Sequence, residues 1–339
     1  MNSQYGLIAV VLLVLIVLTA YFKDYAERPL SVDSEQVKLL IVPGTSFREV
    51  TRQLHEVGII SNRWSWDTYA RISGAAHEIK AGEYLLVRTL SPRQLLHKLV
   101  QGEGTQFAVT VIEGSTFKQL WEAVQKNGKI TKTVPSPEKL LTKLNLKSSH
   151  PEGWFFPDTY RFSPGVTDVQ FFQHLARHMQ SVLDEEWAKK KPDLPIHTQE
   201  EALTLASIIE KETTVDYERA MISAVFTTRL KRGMRLQADP TVIYGMGDAY
   251  DGNIRRKDLK KDTPYNTYLH KGLPPTPIAL PGRASIAAAL NPADSEMMFF
   301  VAKRDGTHHF SSTYSEHRKA VIRYQLKGCK NCYGGDLKN

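Results

Sequence analysis

The run YGLIAVVLLVLIVLTAYF, from Tyr5 to Phe22, crosses eighteen residues without a charge. Coiled as a helix it is roughly 27 Å long, close to the hydrocarbon thickness of a bilayer. Tyr5 and Tyr21 stand where aromatic residues flank a span. A cleaved signal peptide needs a basic start and small residues before the cut, but MNSQ is uncharged and Leu18 spoils a cut after Ala20. The sequence therefore predicts an uncleaved transmembrane anchor over 5–22, a cytoplasmic tail over 1–4 and a polar linker over 23–36. No second apolar run of this length follows, so the bulk of the chain is expected outside the cytoplasm. Lys23 and Arg28 follow the span and no side-chain cation precedes it, so the positive-inside rule argues against that orientation.

The rest of the 339 residues suffices for about two soluble domains. A net charge of +8 suits anionic surroundings, such as a headgroup layer or a wall polymer. No basic stripe interleaved with aromatics is present, so nucleic acid is not an expected partner. The two cysteines, Cys329 and Cys332, form a CxxC near the end of the chain. Zinc would require two more ligands, and a thioredoxin-like pair would open a helix, whereas Lys327-Gly328 reads as a helix end. A local disulfide or a free pair is expected, with no metal and no cofactor.

Two segments match at an offset of 70 residues. VPGTSFREVTRQLHEVGII (42–60) aligns without gaps to IEGSTFKQLWEAVQKNGKI (112–130), pairing Gly44 with Gly114 and Phe47 with Phe117. In each, a strand ends at a glycine turn and a hydroxyl residue opens a helix. Ser46-x-x-Glu49 and Thr116-x-x-Gln119 are capping boxes. Val50 and Leu54, like Leu120 and Val124, recur at helical spacing. These are strand–helix units of a small α+β region, expected over 37–148. The first copy resembles the LysM family, which binds N-acetylated sugars; a packing module or spacer reads equally well from its residues.

The Pro-, Ser- and Lys-rich stretch 131–150 predicts a boundary, and a larger α+β catalytic domain is expected over 149–339. It opens with EGWFFPDTYRF, followed by a helix near 167–190. Thr198-x-x-Glu201 caps a further helix through EEALTLASIIEKET, with Ala202, Leu205 and Ile209 on its buried face. Glu210 lies beside that face among small residues, Ala206, Ser207, Thr213 and Thr214, which leave room for a ligand. A Glu there is open to two readings, a general acid with a raised pKa or an internal cap or ion pair. Glu212 stands about 200° around the helix and is expected to face water with Lys211. A helix over 216–232 follows, then an Asp239 N-cap with Pro240 behind it, and a hairpin turning at Asp305-Gly306. His308 and His309 alternate across that strand, so at most one faces a cleft. A last helix runs through Ser315, His317 and Arg318.

ASIIEKET, RLQADPTVIYG, PYNTY, GLPPTPI, LNPA and GTHHFSST, in that order, resemble the YceG-like family of endolytic murein lytic transglycosylases. Thr276 stands where many relatives have glycine, and the CxxC tail is outside the family pattern. The resemblance implies cleavage of the β-1,4 bond between N-acetylmuramic acid and N-acetylglucosamine in peptidoglycan strands, leaving a 1,6-anhydro end. It implies that Glu210, the first glutamate of EKET, is the catalytic residue. One carboxyl suffices, because the substrate's own C6 hydroxyl replaces water. Gln237, Tyr265 and Asn266 are expected to bind substrate, and peptidoglycan synthases are expected partners. The competing functions are a non-catalytic peptidoglycan-binding scaffold and a hydrolytic muramidase.

Overall fold

The computed structural model describes residues 2–30, 36–87, 89–104, 106–144, 146, 148, 150–326 and 329. Cys332 lies outside the described residues. The chain divides into two compact units, one of residues 1–109, 127–132 and 160–167, the other of 110–126, 133–159 and 168–339. This division differs from one at 148, because 110–126 and 133–148 belong with the larger unit.

In the first unit, α1 (Asn2–Glu27) is long and apolar enough to cross a membrane. It continues past the uncharged run, so residues 23–27 are helix rather than linker. The reason is packing. Ala26 is buried, Tyr25 meets Tyr69 edge-on and Tyr21 Oη lies 2.9 Å from Ser65 Oγ. The chain then forms β1 (Gln36–Ile41), α2 (Phe47–Glu56), α3 (Arg63–Ile72), β2 (Gly82–Val87) and α4 (Pro92–Gln101). β1 and β2 pair antiparallel, with Gln36 opposite Val87 and Ile41 opposite Gly82. Leu39, Leu54, Trp66, Tyr84, Leu86, Leu95 and Leu99 fill the core beneath them.

β3 (Phe107–Thr110) leads into the second repeat copy, whose helix is α5 (Phe117–Lys126). α2 and α5 each span ten residues at the same offset of 70, and bury Val50 and Leu54, and Leu120 and Val124, respectively. Thr116 and Gln119 complete a capping box. Ser46 accepts from the Glu49 N–H, but the Glu49 carboxylate turns to Arg52, so that box is half made.

The stretch read as a boundary contains α6 (Pro137–Leu144) and is tied down where Asp168 accepts from the N–H groups of Thr133 and Val134. β4 (Thr159–Phe162), which pairs with β3, leads to α7 (Asp168–Trp187), α8 (Gln199–Glu212) and α9 (Asp216–Lys231). Then come α10 (Asp239–Met246), the short α11 (Arg256–Leu259), α12 (Arg283–Leu290), the hairpin β5 (Phe299–Ala302) and β6 (His308–Ser311), and α13 (Tyr314–Tyr324). α8 is the centre of this unit. Thr198 and Glu201 cap it reciprocally, and every residue from Ala202 to Ile209 is buried, not one face alone. α9, α10 and α12 all pack on it. A helix enclosed on all sides releases its side chains only at its end, and α8 ends at Glu212.

Candidate active site

The last turn of α8 sends Glu210 and Glu212 into different surroundings. Glu210 turns toward a cluster that satisfies it. The Gly282 N–H donates to its Oε2 at 2.9 Å, and the buried Arg219 guanidinium lies 3.9 Å from Oε1. Arg219 is itself held by Asp216 and donates to Ser285 Oγ at 3.2 Å. The Glu113 carboxyl lies against Gly282, in the space a Cβ there would take. Burial, and then the negative charge of Glu210, push the Glu113 carboxyl up.

Glu212 is not on a freely solvated face. It lines a cavity of about 360 Å³ with Arg229, Gln237, Asp239, Tyr268 and His308. Part of its surface opens to that space, yet protein crowds the carboxyl closely enough to push it up to about 8. Desolvation is the larger cause; the nearby Asp239 carboxylate adds to it and Arg229 opposes it. The carboxyl is thus protonated around neutrality, as a general acid must be.

The cavity walls come from distant parts of the chain. Pro240 lies in the first turn of α10, but Ala238 occupies the N-cap position and makes no side-chain cap. Asp239 is released from capping, and its Oδ1 accepts from Tyr268 Oη at 2.5 Å. Burial and this carboxylate raise the Tyr268 phenol, so it stays a donor. Gln237 holds a left-handed φ of 51°, an uncommon conformation for a residue with a Cβ. Its N–H donates to Thr267 O at 3.1 Å, which places its side chain at the cavity. On the far wall, His308 N–H and ring are held by the buried Glu218, the ring at 2.7 Å, while His309 packs against Tyr324. One of the two histidines faces the cavity, as the strand alternation predicts.

Of the expected substrate ligands, Gln237 alone lines this cavity. Asn266 is fully buried; its amide donates to Leu259 O and Lys261 O and accepts from the Tyr268 N–H. It clamps the loop that carries Tyr268. Tyr265 meets Tyr244 edge-on and its hydroxyl lies 2.8 Å from Thr276 Oγ1. Tyr244 in turn donates to Glu152, a buried carboxyl that also accepts from the Phe117 N–H and that burial pushes up to about 7. Glu212, Asp239, Tyr268 and Arg229 are the residues that sequence reasoning did not choose. The one available signal was Asp239 directly before proline, read as a cap.

Residues 39–323 match the profile of a family described as YceG-like. A protein named endolytic murein transglycosylase from Bacillus subtilis (strain 168) is 32% identical over 326 residues, which cover 90% of this chain and 89% of that protein. A protein of the same name from Streptococcus pneumoniae serotype 2 is 26% identical over 333 residues, and the match spans 87% of this chain but 60% of that longer protein. A crystal structure of a YceG-like protein from Listeria monocytogenes superposes with a TM-score of 0.53 at 29% identity, covering 84% of this chain and 98% of the other.

Proposed function

Because the chain belongs to the YceG-like family, we propose that it is an endolytic murein transglycosylase in which Glu212, not Glu210, is the acid and base. The placement of Glu212 in a cavity beside Asp239 and Tyr268, where burial pushes its carboxyl up to about 8, carries this assignment. In the reaction, Glu212 gives its proton to the glycosidic oxygen as the bond from C1 of N-acetylmuramic acid breaks. The resulting carboxylate takes the proton of the C6 hydroxyl, whose oxygen bonds to C1 and closes the 1,6-anhydro ring. Water takes no part, so a second carboxyl to activate it is not required. Asp239 and Tyr268 position and tune the acid, and Gln237 is the polar side chain best placed to meet sugar hydroxyl or N-acetyl groups.

In this reading α1 is an uncleaved anchor, and the remaining chain works on nascent glycan strands at the outer face of the plasma membrane, alongside peptidoglycan synthases. Residues 36–87 would dock glycan, a role supported by the LysM resemblance of 42–60. The decisive experiment treats purified glycan strands with the fragment after α1 and weighs the products. Anhydro ends are expected. Reducing ends would make the protein a hydrolytic muramidase, and intact strands would make it a scaffold.

A further inference from the structure

α3 has two apolar sides. Trp66 and Ala70 face the core of the first unit, while Trp64, Thr68 and Ile72 recur every four residues along another face. On that face Trp64 is 61% and Ile72 is 71% exposed. Scattered exposed apolar residues are ordinary, but these two line one groove with Leu15, Leu18 and Phe22 of α1, a cavity of about 620 Å³. Phe22 and Trp64 rings lie 6.0 Å apart, so the two helices share a continuous apolar surface. The groove has polarity along its length. From Leu15 to Lys23 it runs roughly 12 Å along α1, apolar at the end inside the uncharged run and cationic at Lys23 and Arg93. Arg93 Nη1 lies 3.0 Å from Glu27, but its side chain remains 63% exposed.

An acyl tail below an anionic headgroup has that same order of chemistry. We propose that the groove between α1 and α3 is a phospholipid site, with an acyl chain against Leu15 and Leu18, Trp64 at the interface and the phosphate at Lys23 and Arg93. α3 runs alongside α1, with Trp64 beside Phe22 and Tyr69 beside Tyr25, so its first turn lies at the headgroup layer. An indole, apolar in body and polar at its N–H, is suited to that depth. Lipid held on both helices would fix the first unit against the bilayer surface. The site depends on α1 spanning the membrane, so its test separates the two claims.

The full chain would be placed in vesicles of phosphatidylethanolamine and phosphatidylglycerol carrying lipids brominated near the headgroup. Part of the tryptophan fluorescence should be quenched, and Trp64→Phe should remove that part while leaving the circular dichroism unchanged. Phosphatidylglycerol co-purifying with the protein should fall about fivefold for each cation removed in Lys23→Gln and Arg93→Gln. Alkaline extraction of the same vesicles reports insertion of α1 independently. Loss of the protein on extraction would sink the anchor and with it the site. Retention with no Trp64-dependent quenching would overturn the lipid site alone, and so would cross-linking of Ile72→Cys between two copies of the chain in place of quenching.

Discussion

The two sides of the last turn of α8 hold carboxylates two residues apart and treat them differently. On one side Glu210 meets a backbone N–H and a buried guanidinium, partners that hold it still. On the other, Glu212 meets a partly open cavity, an acidic neighbour and a tyrosine hydroxyl committed elsewhere, and it is held protonated. A satisfied carboxylate is a structural part, whereas one denied its charge can deliver a proton. Similar side chains on one helix thus differ in surroundings because of what the rest of the fold brings to each.

The sharpest way to break this contrast is a pair of isosteric changes. Glu212→Gln should lower glycan cleavage by about 10²–10⁴-fold or more, since one group acts as both acid and base. Glu210→Gln should keep turnover within about tenfold of wild type, a smaller loss than removal of the acid. Release of anhydro-ended fragments, measured with matched circular dichroism, decides it; a dead Glu210→Gln beside an active Glu212→Gln would reverse the two assignments. Glu210→Ala goes further, leaving the Gly282 N–H and Arg219 short of an acceptor in a buried place. It should cost about 1–3 kcal/mol of stability in a urea titration, and an unchanged midpoint would deny the structural role.

The pH dependence sharpens the comparison. If the protonated Glu212 is the reactive form, cleavage should hold below pH 8 and fall about tenfold per unit above it. A rate that instead rises from pH 7 to 9 would mean that the carboxylate, not the acid, starts the reaction. Stability should also depend on pH. The Glu212 pKa is raised from 4.5 to about 8 on folding, so its contribution is fully present below pH 4.5 and is lost as pH rises toward 8. Glutamine has no such loss. The melting temperature of Glu212→Gln relative to wild type should therefore climb between pH 5 and 8, and a flat difference would place Glu212 in water after all.

Much of the fold was legible because it is local. Thr198 and Glu201 cap α8 within four residues, Gly306 turns the hairpin with its own φ of 82°, and the repeat reproduces helices of equal length 70 residues apart. What misled was composition without neighbours. Residues 23–27 look like a polar tether, but Tyr25 and Ala26 find partners on α3 and in the core, and the helix goes on. Residues 131–150 look like a linker, but Pro137 starts a helix and Asp168 holds its approach. Asn266 looks like a ligand because its amide is versatile, and the loop uses all of that versatility on its own backbone.

By itself the sequence determined an apolar helix at the start, an α+β body and a capped helix ending in two glutamates. Each of these follows from residues within a few turns of one another, where spacing alone sets the geometry. Which glutamate lines a cavity was decided by Arg229, Asp239, Tyr268 and His308, drawn from α9, α10, a loop and a strand up to 96 residues away. A carboxyl's pKa depends on the dielectric and charges within a few ångströms, and the folded chain alone sets what lies there.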